Sequence, residues 1–408
     1  MNLVYAPNPT GSGHNMRALA IATQVRELRP DIDQTVLLGS LQDTFAPMFN
    51  AAEVDVVDTS PKIIKNTALR SHLPNKLDWE SMVEGYLVPT FLNGDTILRL
   101  LCHFQDANAD LVVSDFNPTA SLAAHIAGLP HVLVTERFNF SLVNVTNSQL
   151  AEGGSEIDSE GLDRARSAMS QVFRRITSSA DAVITDKPVL PECVKDDEFR
   201  ELLNCEKAHF VGPMIRALPG GEIREQGRAI RRRLGVGEGP LIVATVGGTT
   251  MHLRNRQSLI DCYLGVYDRL RAEYPGLEMV LIGREVLEVP AGVHSFEYVP
   301  DWLPLIRDAA LLLVPPGWIT VTEICALGIP AIFVLSSFSE YHEIEPFERL
   351  TAFGFVTNLG TDIGELTAKA HALIGSPHAL STLREKYRIV APDPFGARRA
   401  AQIITSIL

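Results

Sequence analysis

Residues 2–39, NLVYAPNPTGSGHNMRALAIATQVRELRPDIDQTVLLG, run from a short apolar segment (2–6) through a Pro/Gly turn into an amphipathic stretch (15–28) and out into a second apolar run, TVLLG (35–39). Strand, helix and strand in that order form a βαβ unit, and strands that are apolar throughout are buried on both faces. The alternation continues with VDVV (54–57), LVVSD (111–115), HVLVT (131–135), AVIT (182–185) and HFV (209–211), with the amphipathic stretch LDRARSAMSQVFRRIT at 162–177. Such a series predicts a mostly parallel, doubly wound sheet.

The pattern then restarts. Residues 211–240, rich in Gly, Pro and charge, are followed by LIVATV (241–246), MVLIG (279–283), SFEYV (295–299), ALLLV (310–314) and AIFVL (331–335). The fold class expected is therefore α/β, with two Rossmann-like doubly wound domains facing a cleft. The expected limits are an N-terminal domain at 1–212, a linker at 213–239, a C-terminal domain at 240–385 and a final helical segment at 386–408. Within the linker, Arg231, Arg232 and Arg233 are read as a solvated helix face.

Composition narrows the function. The chain has 408 residues, 46% of them hydrophobic, which is more than one core usually serves. A net charge of -13 argues against a nucleic-acid partner, which calls for clustered Lys and Arg. The five cysteines (102, 193, 205, 262 and 325) follow no metal or disulfide spacing, so a reduced, cytoplasmic setting is expected. No apolar run reaches the roughly 18 residues of a membrane span, and no basic leader region precedes the first strand.

In a doubly wound sheet, ligands bind beyond the carboxyl ends of the strands. Three loops there hold candidate chemistry. In the first, Gly11, Ser12 and Gly13 form a tight turn before His14, a base of near-neutral intrinsic pKa at a helix start. In the second, Gly247, Gly248 and Thr249 precede a helix whose N-terminus suits a diphosphate. In the third, Gly317 opens a helix whose first turns carry Thr320, Thr322 and Glu323, the glutamate being placed in the first turn. Its carboxylate could accept from a ribose diol or merely complement the helix dipole.

In order, these segments resemble a family. GSGHNMRALAIA (11–22), DLVVSDFNPTASLAAHIAGLPHV (110–132), FVGPMIR (210–216), VATVGG (243–248), the long 298–332 segment and GARRAAQIITSIL (396–408) are similar to GT-B glycosyltransferases. The resemblance is to the bacterial kind that includes the natural-product glycosyltransferases and the lipid II-forming N-acetylglucosaminyltransferase. The resemblance implies an inverting transfer of a sugar from a UDP or dTDP donor to a small-molecule acceptor such as a natural product. His14 would be the general base, oriented by Asp115. The donor would meet Gly247, Gly248 and Thr249 at its diphosphate, Tyr298 and Val299 at its base, and Glu323 at its ribose. No cofactor or metal beyond the nucleotide sugar is implied. The final helix would pack back on the first domain, residues 60–108 would help shape the acceptor pocket, and a homodimer is compatible with the pattern.

Two segments depart from the family. Pro315-Pro316-Gly317-Trp318-Ile319-Thr320 replaces the usual glycine-rich loop, so the Trp is expected to alter contacts near the diphosphate. In SSFSEYHEIEP (336–346), either Glu340 or the pair His342 and Glu343 would face the donor sugar. A nucleotide-sugar epimerase or hydrolase, or a non-catalytic nucleotide-sugar-binding protein, would share this architecture.

Overall fold

The computed structural model of the chain describes residues 1–9, 12–39, 42–59, 76–216, 222–247, 252–283, 285–299 and 302–408. The chain divides into two compact units, Met1–Arg216 with Asp393–Leu408, and Ala217–Pro392.

Among the described residues, the main sheet of the first unit has seven strands: β1 (Asn2–Pro7), β2 (Asp33–Leu38), β3 (Asp55–Asp58), β4 (Leu111–Asp115), β5 (His131–Val134), β6 (Ala182–Thr185) and β7 (Ala208–Phe210). They lie in the order β3-β2-β1-β4-β5-β6-β7, and every pairing is parallel. Alternation along the strands splits the core between the two faces. Leu3, Tyr5, Leu111 and Val113 pack with Ala18, Ile21 and Val25 of α1 (Ser12–Leu28). On the other face, Val4, Ala6 and Val112 pack with Ala120, Ala123 and Ala124 of α2 (Pro118–Ala127) and with Phe104.

The helix Gly396–Ile407 completes the first face. It lies against α1, burying Ala397, Ala400, Ala401 and Ile404 in the same cluster. Glycine is required at its start, because a Cβ on Gly396 would stand 2.3 Å from the Pro213 carbonyl oxygen and 2.4 Å from that of Gly212. Arg399 fastens the contact, its Nε donating to the Val211 carbonyl at 3.0 Å and Nη1 pairing with Asp393 at 2.7 Å.

The second unit carries six strands: β8 (Leu241–Thr245), β9 (Glu278–Ile282), β10 (Val293–Phe296), β11 (Leu311–Val314), β12 (Ala331–Leu335) and β13 (Thr357–Leu359). Their order is β10-β9-β8-β11-β12-β13, again all parallel. The helices used below are α3 (Glu222–Leu234), α4 (Leu253–Leu270), α5 (Trp318–Leu327) and α6 (Tyr341–Ala352).

Three expectations need correction, and one edge strand was not foreseen. The segment expected at 295–299 is a strand only over Val293–Phe296, which leaves Tyr298 and Val299 beyond its end. β13 was not expected, because Thr-Asn-Leu is too short and polar to read as a strand, and it forms at the sheet edge. About half of the expected linker is α3, a helix that packs against the short helix Leu303–Arg307 within the second unit. Arg231 in α3 is no solvated cation: it is buried, donates to the carbonyls of Gly237, Gly239 and Asp308, and pairs with the Asp308 carboxylate at 2.9 Å.

Candidate functional site

Register explains why residues distant in sequence meet in the first unit. β1 and β4 run side by side with Pro7 opposite Asp115, so both strands end at one level. The Asn8 backbone N–H donates to the Asp115 carbonyl at 2.9 Å and its side-chain amide to that of Phe116 at 2.8 Å. α1 starts just beyond this point and carries His14 over the end of β4. The helix begins at Ser12, earlier than the sequence suggests, so Ser12 and Gly13 belong to its first turn and His14 lies inside it. Gly11 lies outside the described residues.

His14 Nδ1 stands 2.7 Å from Asp115 Oδ1. A carboxylate on one ring nitrogen makes that nitrogen the N–H donor and leaves Nε2 as the basic one. Asp115 is buried, while the His14 side chain keeps 13% of its exposure. Phe116, next in sequence, is held in the left-handed region at φ 37°, with its N–H bonded to the Val134 carbonyl at 2.8 Å. A bulky residue there is strained. Its ring lies nearly parallel to the imidazole at 6.5 Å and joins an aromatic group with Phe91 and Phe140.

Three further residues complete the cluster, and the sequence did not single out any of them. Arg17, one turn after His14, is completely buried. Its Nε donates to Asp115 Oδ2 at 2.7 Å, and its Nη2 to Asp115 Oδ1 at 2.5 Å and to Glu136 Oε2 at 2.6 Å. Its Nη1 faces Asp186 Oδ2 at 3.3 Å. Glu136 follows β5 and Asp186 follows β6, so adjacent strand ends supply all three carboxylates.

One guanidinium serving three carboxylates divides their behaviour. Burial alone would push Glu136 up, but Arg17, then His14 and Arg137, outweigh it and hold the carboxyl well below its usual range. Asp186 is the poorly served member. Burial pushes it up to about 6, Arg17 only partly opposes this, and Glu136 and Asp115 add to the rise. His14, Asp115 and Glu136 also place one ligand atom each within 4.8 Å of one another, a set that could hold a metal ion. Arg17 already delivers positive charge to both carboxylates of that set.

The second unit places its candidates separately. Gly247 follows β8 at φ 72°, where a Cβ would approach Pro315 Cγ to 3.1 Å; Gly248 and Thr249 lie outside the described residues. Gly317 is the N-cap of α5, so Thr320 falls in the first turn but Glu323 falls in the second, correcting its expected place. Glu323 is buried and accepts from Trp302 Nε1 at 3.0 Å. The Thr322 hydroxyl donates to the Ile319 carbonyl at 2.8 Å. Trp318, expected beside the diphosphate, is buried in the hydrophobic core of this unit. Tyr298 is exposed and Val299 buried.

Glu340 is fully buried and ties two loops together. Its Oε1 accepts from Asn255 Nδ2 at 2.8 Å and from the His252 backbone N–H at 3.1 Å, at the N-terminus of α4. A carboxylate placed there complements the helix dipole. Glu343 is buried one turn on, with His342 Nε2 at 3.6 Å from its Oε1. Both His342 ring nitrogens are buried without a hydrogen-bond partner among the described residues.

Two all-parallel doubly wound units define the GT-B fold. No protein-family model matches the sequence. Among solved structures, the glycotransferase of kitacinnamycin is similar over 100% of this chain and 98% of its own, with a TM-score of 0.63 and 15% identity. A putative UDP-N-acetylglucosamine 2-epimerase from Listeria monocytogenes is similar over 99% of this chain and 96% of its own, with a TM-score of 0.62 and 11% identity. By sequence, the chain is similar to the UDP-N-acetylglucosamine–N-acetylmuramyl-(pentapeptide) pyrophosphoryl-undecaprenol N-acetylglucosamine transferase of Caldanaerobacter subterraneus subsp. tengcongensis. Identity is 26% over 210 residues, 47% of this chain and 54% of that protein. The chain thus spans about half the length of that relative. Among the described residues, no helix is long and apolar enough to cross a membrane.

Proposed function

We propose that this protein is a glycosyltransferase that moves a sugar from a UDP- or dTDP-linked donor to the hydroxyl of a small-molecule acceptor, with inversion at the anomeric carbon. The observation that carries the proposal is the His14–Asp115 pair, 2.7 Å apart at the carboxyl ends of adjacent strands, in a fold shared with glycosyltransferases.

His14 Nε2 takes the proton of the acceptor hydroxyl as its oxygen attacks the anomeric carbon. The bond from that carbon to the diphosphate breaks, and the nucleoside diphosphate leaves with the electron pair. Asp115 holds the ring in the required tautomer and stabilises the imidazolium, as a buried carboxylate does in other histidine bases. Glu323 would accept from the donor ribose and the loop at Gly247 would hold the diphosphate. Since a helix N-terminus can balance that charge, turnover should survive excess EDTA.

The epimerase likeness favours a second reading, nucleotide-sugar epimerisation without an acceptor. Thermal shift with UDP, dTDP and GDP tests both at once, because a ligand at 100 times its Kd adds about 2.7 kcal/mol. NMR of a bound donor, incubated alone and then with candidate acceptors, separates them. A new glycoside of inverted configuration supports transfer, and an epimerised donor formed without acceptor supports the second reading. No response to any nucleotide removes both.

A further inference from the structure

The His14 ring lies between two carboxylates, and only one of them has been given a task. Asp115 Oδ1 meets Nδ1 at 2.7 Å, while Glu136 Oε1 stands 4.0 Å from Nε2. That distance is beyond a direct hydrogen bond but within reach of one bridging oxygen. Glu136 commits Oε2 to Arg17 at 2.6 Å, and the other charge near Oε1 is Arg137 Nε at 3.4 Å. Glu136 is buried and held ionised, so its charge acts on the ring with little screening.

The remaining charges do not replace it. Arg17 Nη2 lies 3.3 Å from His14 Nδ1, so on that side of the ring a cation offsets the Asp115 anion. Asp186 Oδ2 stands 3.3 Å from Arg17 Nη1. The Arg137 guanidinium is turned over the Phe116 ring at 5.2 Å. Glu136 is therefore the anion facing the nitrogen that Asp115 leaves basic.

We propose that Glu136 is a positioning residue for His14: its carboxylate stabilises the imidazolium formed when Nε2 takes up a proton. Its place in the reaction rests on His14 being the base of a glycosyl transfer. Its effect on the ring does not.

The experiment is an NMR titration of the His14 ring in the full chain, with the resonance assigned by its loss in His14→Gln. Glu136→Gln keeps an acceptor for Arg17 and removes the charge, so the His14 midpoint should fall by about one pH unit, the usual scale for a charge at this distance. Glu136→Asp should restore most of the shift. Arg137→Gln, which removes the opposing cation, should move the midpoint upward. If Glu136 serves only to neutralise Arg17, its variants lose stability and leave the midpoint in place, which overturns the proposal. A second readout is nucleoside diphosphate release from UDP-glucose or dTDP-glucose with water as acceptor. Its acid limb should move with the midpoint in Glu136→Gln, and an acid limb that stays in place while the midpoint moves overturns the catalytic part. If wild-type protein releases nothing from either donor, the glycosyl-transfer reading is at fault, and the titration alone decides whether Glu136 tunes the ring.

Discussion

Arg17→Met tests the buried cluster most directly. Methionine fills a comparable volume without the charge and leaves Asp115, Glu136 and Asp186 with no shared cation. Removing one partner of a buried charge pair costs about 3–5 kcal/mol. The three short bonds from Arg17, two to Asp115 and one to Glu136, place this substitution inside that range. The cost should depend on pH with a definite sign. Without Arg17, burial leaves Glu136 and Asp186 titrating above their unfolded values, so the variant's stability is present at low pH and is lost as pH rises through the folded values. In the wild type, Glu136 is held low, so its contribution is present above the unfolded value and lost on acidification. The variant's trend widens the gap at pH 8 and narrows it at pH 5, whereas the wild-type Glu136 contribution falls away only below its unfolded value of 4.5. Thermal unfolding at the two pH values is the assay, and at about 2–4 °C per kcal/mol the drop at pH 8 should be roughly 6–20 °C. A loss below about 1 kcal/mol at pH 8, within the ordinary range for point substitutions, would refute the reasoning. So would a loss equally large at both pH values.

Asp186→Asn should flatten the stability profile between about pH 4 and pH 6. With its folded value pushed up to about 6, Asp186 favours the folded state at low pH and loses that contribution as pH rises, about 3 kcal/mol across two units; urea midpoints at several pH values measure it. His14→Ala should lower kcat by about 10²- to 10⁴-fold, whereas Glu323→Ala should chiefly raise the donor KM. A His14→Ala enzyme with near-normal kcat, where chemistry limits the rate, would remove the base assignment. Gly396→Ala forces a Cβ into two backbone carbonyls and should destabilise the first unit by about 1–3 kcal/mol, with hydrogen exchange rising first in Gly396–Ile407.

Much of the architecture was legible because buried parallel strands are written as uninterrupted apolar runs. LVVSD, AVIT and AIFVL match β4, β6 and β12 end to end. Edges read less well: β13 pairs on one side alone, so its sequence need not be apolar. The His14–Asp115 pair came from family likeness, whereas the cluster around it went unseen. Arg17 looked like one polar residue on an amphipathic helix, and Glu136 and Asp186 looked like loop residues after strands. A faint signal existed, since three strands adjacent in the sheet are each followed or closed by an acid, and a single arginine interrupts the apolar face of α1. Only strand order turns that coincidence into contact, and strand order is not local information. The bond from Glu340 to the α4 N-terminus is hidden for the same reason, since it spans 88 residues.

The helix Gly396–Ile407 makes the first unit discontinuous in sequence, with Ala217–Pro392 inserted between its two parts. During synthesis at about 5–20 residues per second, the α1 surface that this helix covers would be made roughly 20–75 s before its cover. The second unit is complete as soon as its own residues are made. The first must therefore wait with the face of α1 that meets this helix unsheltered, and its yield in a cell should depend on how well chaperones guard that surface during the interval.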